Sequence, residues 1–379
     1  MLIVDAHEDL AYNILSFGRD YSLSAGEIRQ HEQGTDVPAF NGDTLLGYPE
    51  YRKGRVAVVF GTLFAAPERY KAGAWDNQSY KDFDEAYALY RGQVESYYRL
   101  CDDHPDKFHL IQSQLDLEAV LSHWEQKGSS RVEASEYPVD APGENPPDYP
   151  VGLVTLMEGA EGVRNPAELE EWWKAGVRII GPAWSGTRFC GGTGQPGPLT
   201  KEGFALLEGM AEFGYALDIS HMDEKAVLQA LDSYPGVIIA SHANVASLLK
   251  ELDTNRHLSD LVIRRLVERG GVIGVIPFNR FLQPSWSHGD SREQVSLQHV
   301  VAHIDYLCQM AGNAQHAGLG TDFDGGWGWQ SAPFEIGTIA DLQKLIPLLA
   351  DKGYSEADIE AILGVNWIDQ LKRILPEDV

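Results

Sequence analysis

Short apolar runs recur along this chain, and longer stretches with apolar positions at helical spacing separate them. LIVDA, RVAVVFGTLF, KFHLI, VGLVTLM, GVRIIGPAW, GYALDI, GVIIAS, GGVIGVIPF and HAGLGTD read as strands. YKDFDEAYALYRGQVESYYRLCDD and LSDLVIRRLVERGG read as amphipathic helices between them. Strand followed by helix, repeated this often, predicts a parallel sheet covered by helices. Eight or nine such units favour an α/β fold of the closed (β/α)8 TIM-barrel type over a doubly wound sheet. Nine candidate strands compete for eight places. No GxGxxG follows the first strand and no GxxxxGK[ST] occurs anywhere, so a nucleotide-binding sheet lacks its usual support.

Two segments interrupt the alternation. SSRVEASEYPVDAPGENPPDYP is rich in proline and acidic residues and reads as a surface excursion. SGTRFCGGTGQPGPLT is a glycine-rich segment placed either to line a site or to serve as a passive connection. No linker, repeat or low-complexity tract divides the chain, which predicts one barrel domain over residues 1–379.

Composition narrows the function. The chain has 379 residues, 44% of them apolar, enough for a sizeable core. A formal net charge of -26 argues against a nucleic-acid or anionic-membrane partner. Cys101, Cys190 and Cys308 form no CxxC pair, which excludes a thiolate zinc site and suits a reducing compartment. His7 and Asp9 arrive too early for a signal peptide, no run is long enough to span a bilayer, and LKRILPEDV is no lipid-anchor signal. A soluble cytoplasmic protein is the simplest expectation.

Polar residues follow the apolar runs in a regular way. LIVDA leads to His7 and Asp9, VGLVTLM to Glu158, GYALDIS to His221, GVIIAS to His242 and HAGLGT to Asp322. In a (β/α)8 barrel the C-terminal strand ends converge on one mouth, where catalytic residues meet. Each residue alone has a plain reading: a structural histidine, a helix-start acid at Glu158, a turn acid at Asp322 with Asp324 as its competitor. Together, three imidazoles and three carboxylates suit zinc or a similar borderline metal. Five ligands, one of them bridging, are more than one tetrahedral ion needs and are matched by two.

The order HxD, strand-end Glu, DISH, SH and GTDFDG resembles the membrane dipeptidase (renal dipeptidase) family, peptidase family M19 of the amidohydrolase superfamily. The resemblance spans His7 to Asp322 and implies a (β/α)8 barrel carrying two zinc ions per chain. It implies that His7 and Asp9 hold the first zinc and His221 and His242 the second, with Glu158 and a hydroxide bridging them. Asp322 matches the catalytic Asp that handles the proton of the bridging water. Arg256, in LDTNRHLSD, matches the Arg that pairs with the substrate's terminal carboxylate, a task its bidentate fork suits. The implied reaction is hydrolysis of dipeptides, with tolerance for a C-terminal D-residue, and the resemblance also points to a homodimer.

Some positions depart from the family pattern. A His that binds substrate near the scissile carbonyl is replaced by Trp184, whose indole can donate one hydrogen bond but cannot act as a base. Thr187 and His257 stand where Asn is usual. Glu8 also replaces a frequent Asn, and alternation turns it away from the ligands, so little effect is expected. Trp184 keeps a second enzyme class open: a zinc amidohydrolase of changed specificity, such as an N-acyl amino acid deacylase, amidase or lactonase. A metal-binding accessory protein without catalysis is the third reading, and the retained Asp322 argues against it.

Overall fold

The computed structural model describes residues 1–125 and 149–378. All nine apolar runs form strands, and all nine join one parallel sheet: β1 (Ile3–Glu8), β2 (Val56–Phe64), β3 (Phe108–Leu110), β4 (Val151–Glu158), β5 (Val177–Gly181), β6 (Ala216–Asp218), β7 (Ile238–Ile239), β8 (Ile273–Val275) and β9 (Ala317–Leu319). Eight follow one another in the order β7-β6-β5-β4-β2-β1-β9-β8. A parallel bridge from Ala240 to Ile273 brings β7 and β8 together at the seam. The result is a nearly closed eight-stranded (β/α)8 barrel.

The ninth strand finds its place on β4. Strand β2 pairs with β4 along one edge from Gly152 to Glu158. On the other edge β3 takes Val151 to Leu153, and β5 takes over from Thr155. β3 is thus a spur beside the barrel path. Every residue of β4 is buried, as expected for a strand covered on both faces.

Helices fill the intervals where the periodicity predicts them. The first runs Phe83–Asp103, capped by Asp82, whose carboxylate accepts from the Asp84 and Glu85 amides. The second runs Asp260–Glu268, capped by Ser259. No described helix is long and apolar enough to cross a membrane. The glycine-rich segment folds as an antiparallel ribbon pairing Cys190–Gly192 with Gln195–Leu199. The acidic, proline-rich segment lies outside the described residues except for its last two.

Two strand glycines let the mouth close. A Cβ on Gly274 of β8, or on Gly320 just after β9, would fall within 2 Å of the Ser241 carbonyl oxygen. Only a residue without a side chain admits that backbone approach.

Asp324 and Glu8 prove to be structural. Asp324 is fully buried, and its Oδ2 accepts from Arg19 (2.8 Å), Tyr21 (2.7 Å) and Thr44 (2.6 Å). Its backbone carbonyl accepts from Asn13 and Asn41, so this one residue ties the segment after β1 to the loop after β9. It therefore does not compete with Asp322. Glu8 does turn away from the ligands, but into packed protein: it is fully buried and the Tyr51 hydroxyl donates to it. Burial pushes its carboxyl well above the usual range, so the position is not the neutral one expected. Asp324→Ala leaves the Arg19 charge buried with Glu32 as its remaining acidic partner, and is expected to cost about 3–5 kcal/mol of stability. Urea unfolding of wild type and variant measures it.

Candidate metal centre

A fixed step places three of the six polar residues. His221, His242 and Asp322 each stand three residues beyond the ends of their strands at Asp218, Ile239 and Leu319. Trp184 stands the same distance beyond Gly181. Glu158 is the last residue of β4, and His7 and Asp9 flank the end of β1. His221 and Asp322 adopt left-handed backbone, φ 65° and 59°, a conformation uncommon for side-chain-bearing residues that Asp324 and Arg55 also adopt.

These residues meet. The Nε2 atom of His7 lies 3.8 Å from Asp9 Oδ2, from Glu158 Oε1 and from Asp322 Oδ1. Glu158 Oε1 is in turn 3.2 Å from His221 Nε2 and 3.3 Å from His242 Nε2. The two Nε2 atoms of His221 and His242 face each other at 3.0 Å. His7, Glu158 and His242 form one group with its ligand atoms within 4.8 Å, and His7, Asp9 and Asp322 form another. All six metal and proton-handling candidates therefore share one cluster.

The donor set fits a cation. Among the described residues, His7 Nε2 and Glu158 Oε1 are buried without a hydrogen-bond partner, although buried polar atoms ordinarily have one. Burial holds the imidazoles of His7, His221 and His242 well below their usual pKa, which keeps them neutral and able to ligate. Burial also raises the carboxyls: Asp9 to about 6, and Glu158 and Asp322 well above their usual range. A divalent cation among three such groups reverses that shift, because its charge favours their ionised form.

Residues behind the ligands aim them. Ser241 Oγ donates to Asp218 Oδ2 (2.5 Å) and, its proton so used, accepts from His242 Nδ1 (2.8 Å). That leaves the His242 Nε2 lone pair free for a metal. Thr193, at the tip of the glycine-rich ribbon, bonds His221 Nδ1 (2.9 Å), so this ribbon is part of the site rather than a passive connection. Thr62 donates to Asp9 Oδ1 (2.6 Å). Sequence reasoning missed these four residues; only the Asp and Ser within DISH and SH carried a signal, as polar neighbours of a ligand.

The remaining candidates line the same mouth. Arg256 is buried, with Nη2 donating to the His242 carbonyl (2.9 Å) and with Nε and Nη1 unpartnered among the described residues. It is not the surface helix-start residue that its position also allowed. The half-buried Trp184 ring lies 6.4 Å from the His221 ring. His257 packs edge-on against Phe281, with both ring nitrogens unpartnered among the described residues.

Ser241→Ala removes the acceptor that fixes the His242 tautomer. It is expected to weaken metal binding by about 10–100-fold, read by competition with a chromophoric chelator.

A profile of the family described as membrane dipeptidase (peptidase family M19) matches residues 147–375. A Klebsiella pneumoniae protein encoded in the pqqA 5' region is 34% identical over 237 residues, 60% of this chain and 83% of that protein. The dipeptidase tcpJ of Claviceps purpurea is 29% identical over 186 residues, 48% of this chain and 39% of that protein. In fold, the chain is similar to a metallo peptidase from Rhodobacter sphaeroides crystallised with a phosphinate mimic of L-Ala-D-Ala: TM-score 0.76 and 19% identity over 99% of both chains. The strand-end cluster and these likenesses agree, and this chain belongs to the membrane dipeptidase family, peptidase family M19, as a metal-dependent hydrolase of dipeptidase type.

Proposed function

We propose that the protein is a dinuclear zinc dipeptidase acting on dipeptides, including those with a C-terminal D-residue. The observation that carries this reading is the convergence on Glu158 Oε1: the Nε2 atoms of His7, His221 and His242 approach it at 3.8, 3.2 and 3.3 Å. A carboxylate close to three imidazoles from three different strands suits a ligand shared between two metals. His7 and Asp9 then hold one zinc and His221 and His242 the other. Bound there, the metal pair supplies an activated water at neutral pH and polarises the scissile carbonyl.

The protein's own residues do the rest. Asp322 reaches the cluster through Oδ1, and its side chain is 16% exposed against 7% for Glu158 and none for His7. That places a carboxylate at the open edge, where it takes the proton of the attacking water and returns it to the leaving amine. Arg256 presents two donors unpartnered among the described residues on a buried fork, which suits a substrate carboxylate bound bidentately. That Arg–carboxylate pair sets the peptide's direction across the cluster. The C-terminal D-residue follows from the family likeness, and the phosphinate L-Ala-D-Ala mimic held by the Rhodobacter protein supports it. The free cysteines suit a cytoplasmic setting.

Trp184 favours a second reading, an amidohydrolase of changed specificity. An indole stands where the family uses an imidazole, and loss of one oxyanion-type donor costs about 100- to 1,000-fold in rate.

Zinc-reconstituted protein is expected to hydrolyse members of an L,L and L,D dipeptide panel, with activity lost on chelation and restored by zinc. Turnover of N-acyl amino acids or lactones with no dipeptide turnover favours the second reading. Asp322→Asn is expected to lower kcat by about 10²–10⁴-fold with metal content unchanged, measured by steady-state kinetics beside metal analysis. Trp184→His should raise kcat/KM for Ala-Ala, whose side chains make no use of an indole wall; no gain there argues against a dipeptidase pocket.

A further inference from the structure

The step of three residues past a strand end also marks positions that hold no ligand chemistry. On β5 it falls on Trp184 and on β8, which ends at Val275, on Phe278. β2 itself ends on Phe64. Around the barrel these positions are interspersed among those of the metal-ligand candidates, and each carries a large aromatic ring. All three rings are half-buried, although the barrel core beneath them is fully enclosed.

The rings gather into two walls. Phe64 lies 5.1 Å from Trp184, and Tyr70, 39% exposed, meets Trp184 edge-on at 5.5 Å. Arg69 donates to the Gly186 carbonyl and to Gln195, tying the loop that carries Tyr70 to the glycine-rich ribbon. Opposite, Phe278 lies 4.9 Å from both Phe281 and Trp327. Given the strand order, the first wall stands over β2, β4 and β5 and the second over β8 and β9.

Each wall adjoins one open edge of the metal cluster. His7 and His242 side chains are fully enclosed, whereas those of His221 and Asp322 are 11% and 16% exposed. Trp184 borders His221, and the Trp327 indole N–H lies 3.4 Å from Asp322 Oδ2. The Arg256 guanidinium carbon sits 5.8 Å from the Phe281 ring. A peptide with its carboxylate on Arg256 therefore lays its C-terminal side chain on the second wall. Its N-terminal side chain, across the cluster, meets the first.

We propose that the mouth is a two-sided aromatic clamp, and that the substrates are dipeptides with aromatic or large apolar side chains. Phe64, Tyr70 and Trp184 receive the N-terminal side chain, and Phe278, Phe281 and Trp327 the C-terminal one. Trp184 thus serves as a specificity-determining residue in place of the family's imidazole. Aromatic pairs prefer the offset and edge-on geometries that these walls already show, and a phenyl ring buried there leaves water. The inference rests on the dipeptidase reading for the direction of the peptide.

The test compares kcat/KM of the zinc-loaded full chain for Ala-Ala, Phe-Ala, Ala-Phe and Phe-Phe. Each Phe should raise kcat/KM about tenfold or more over Ala at its position. Trp184→Ala should erase the advantage of Phe-Ala over Ala-Ala and keep that of Ala-Phe; Phe281→Ala should do the reverse. Equal rates for all four peptides in the wild type would overturn the proposal, whatever the variants do. A binding arm separates it from the reaction: calorimetry with phosphinate dipeptide mimics carrying methyl or benzyl groups. Tighter benzyl binding without dipeptide turnover supports the clamp and overturns the dipeptidase reading alone. Equal affinities overturn the clamp, and no binding of either mimic overturns both.

Discussion

Three carboxyl oxygens stand 3.8 Å from the Nε2 atom of His7, and in a buried mouth such groups repel one another once ionised unless a cation lies among them. That electrostatic demand organises much of the surrounding structure. Thr62 holds Asp9 from one side, and the Asp218–Ser241 pair aims His242 from the other. Glycines at 274 and 320 let the Ser241 backbone come close enough for this. The cost of assembling like charges is carried by packing and hydrogen bonds that belong to the barrel as a whole, so a metal site of this kind is inseparable from its fold.

The parallel barrel makes the convergence possible at little expense in sequence. Strands related by a regular step repeat the same position at the same height, and on five of the eight barrel strands a residue three beyond the strand end reaches the mouth. On β6, β7 and β9 that position holds His221, His242 and Asp322; on β5 and β8 it holds Trp184 and Phe278. One geometric rule thus supplies three of the six candidate groups of the cluster and two of the aromatic rings beside it.

Much of this was legible in the chain because the signals are local. Apolar runs such as VGLVTLM mark β4 directly, and the polar residue that ends each run marks the mouth. What was not legible depends on partners far apart in sequence. KFHLI reads as well as any barrel strand, and only its pairing with the first residues of β4 makes it a spur. Asp324 looks equivalent to Asp322 until Arg19, Tyr21 and Thr44, about 300 positions away, are seen to claim it. Thr193 and Thr62 carry no motif at all, and their roles come from the approach of a ribbon and a neighbouring strand. Alternation turns Glu8 away from the ligands, but alternation along a strand cannot tell solvent from a layer of packed helices.

The most direct test of the central claim is diffraction from crystals of the zinc-loaded protein, recorded on both sides of the zinc absorption edge. A dinuclear centre would give two anomalous peaks roughly 3.5–4 Å apart, one beside His7 and Asp9 and one beside His221 and His242, with Glu158 touching both. A single peak, or none within reach of Glu158, would contradict it.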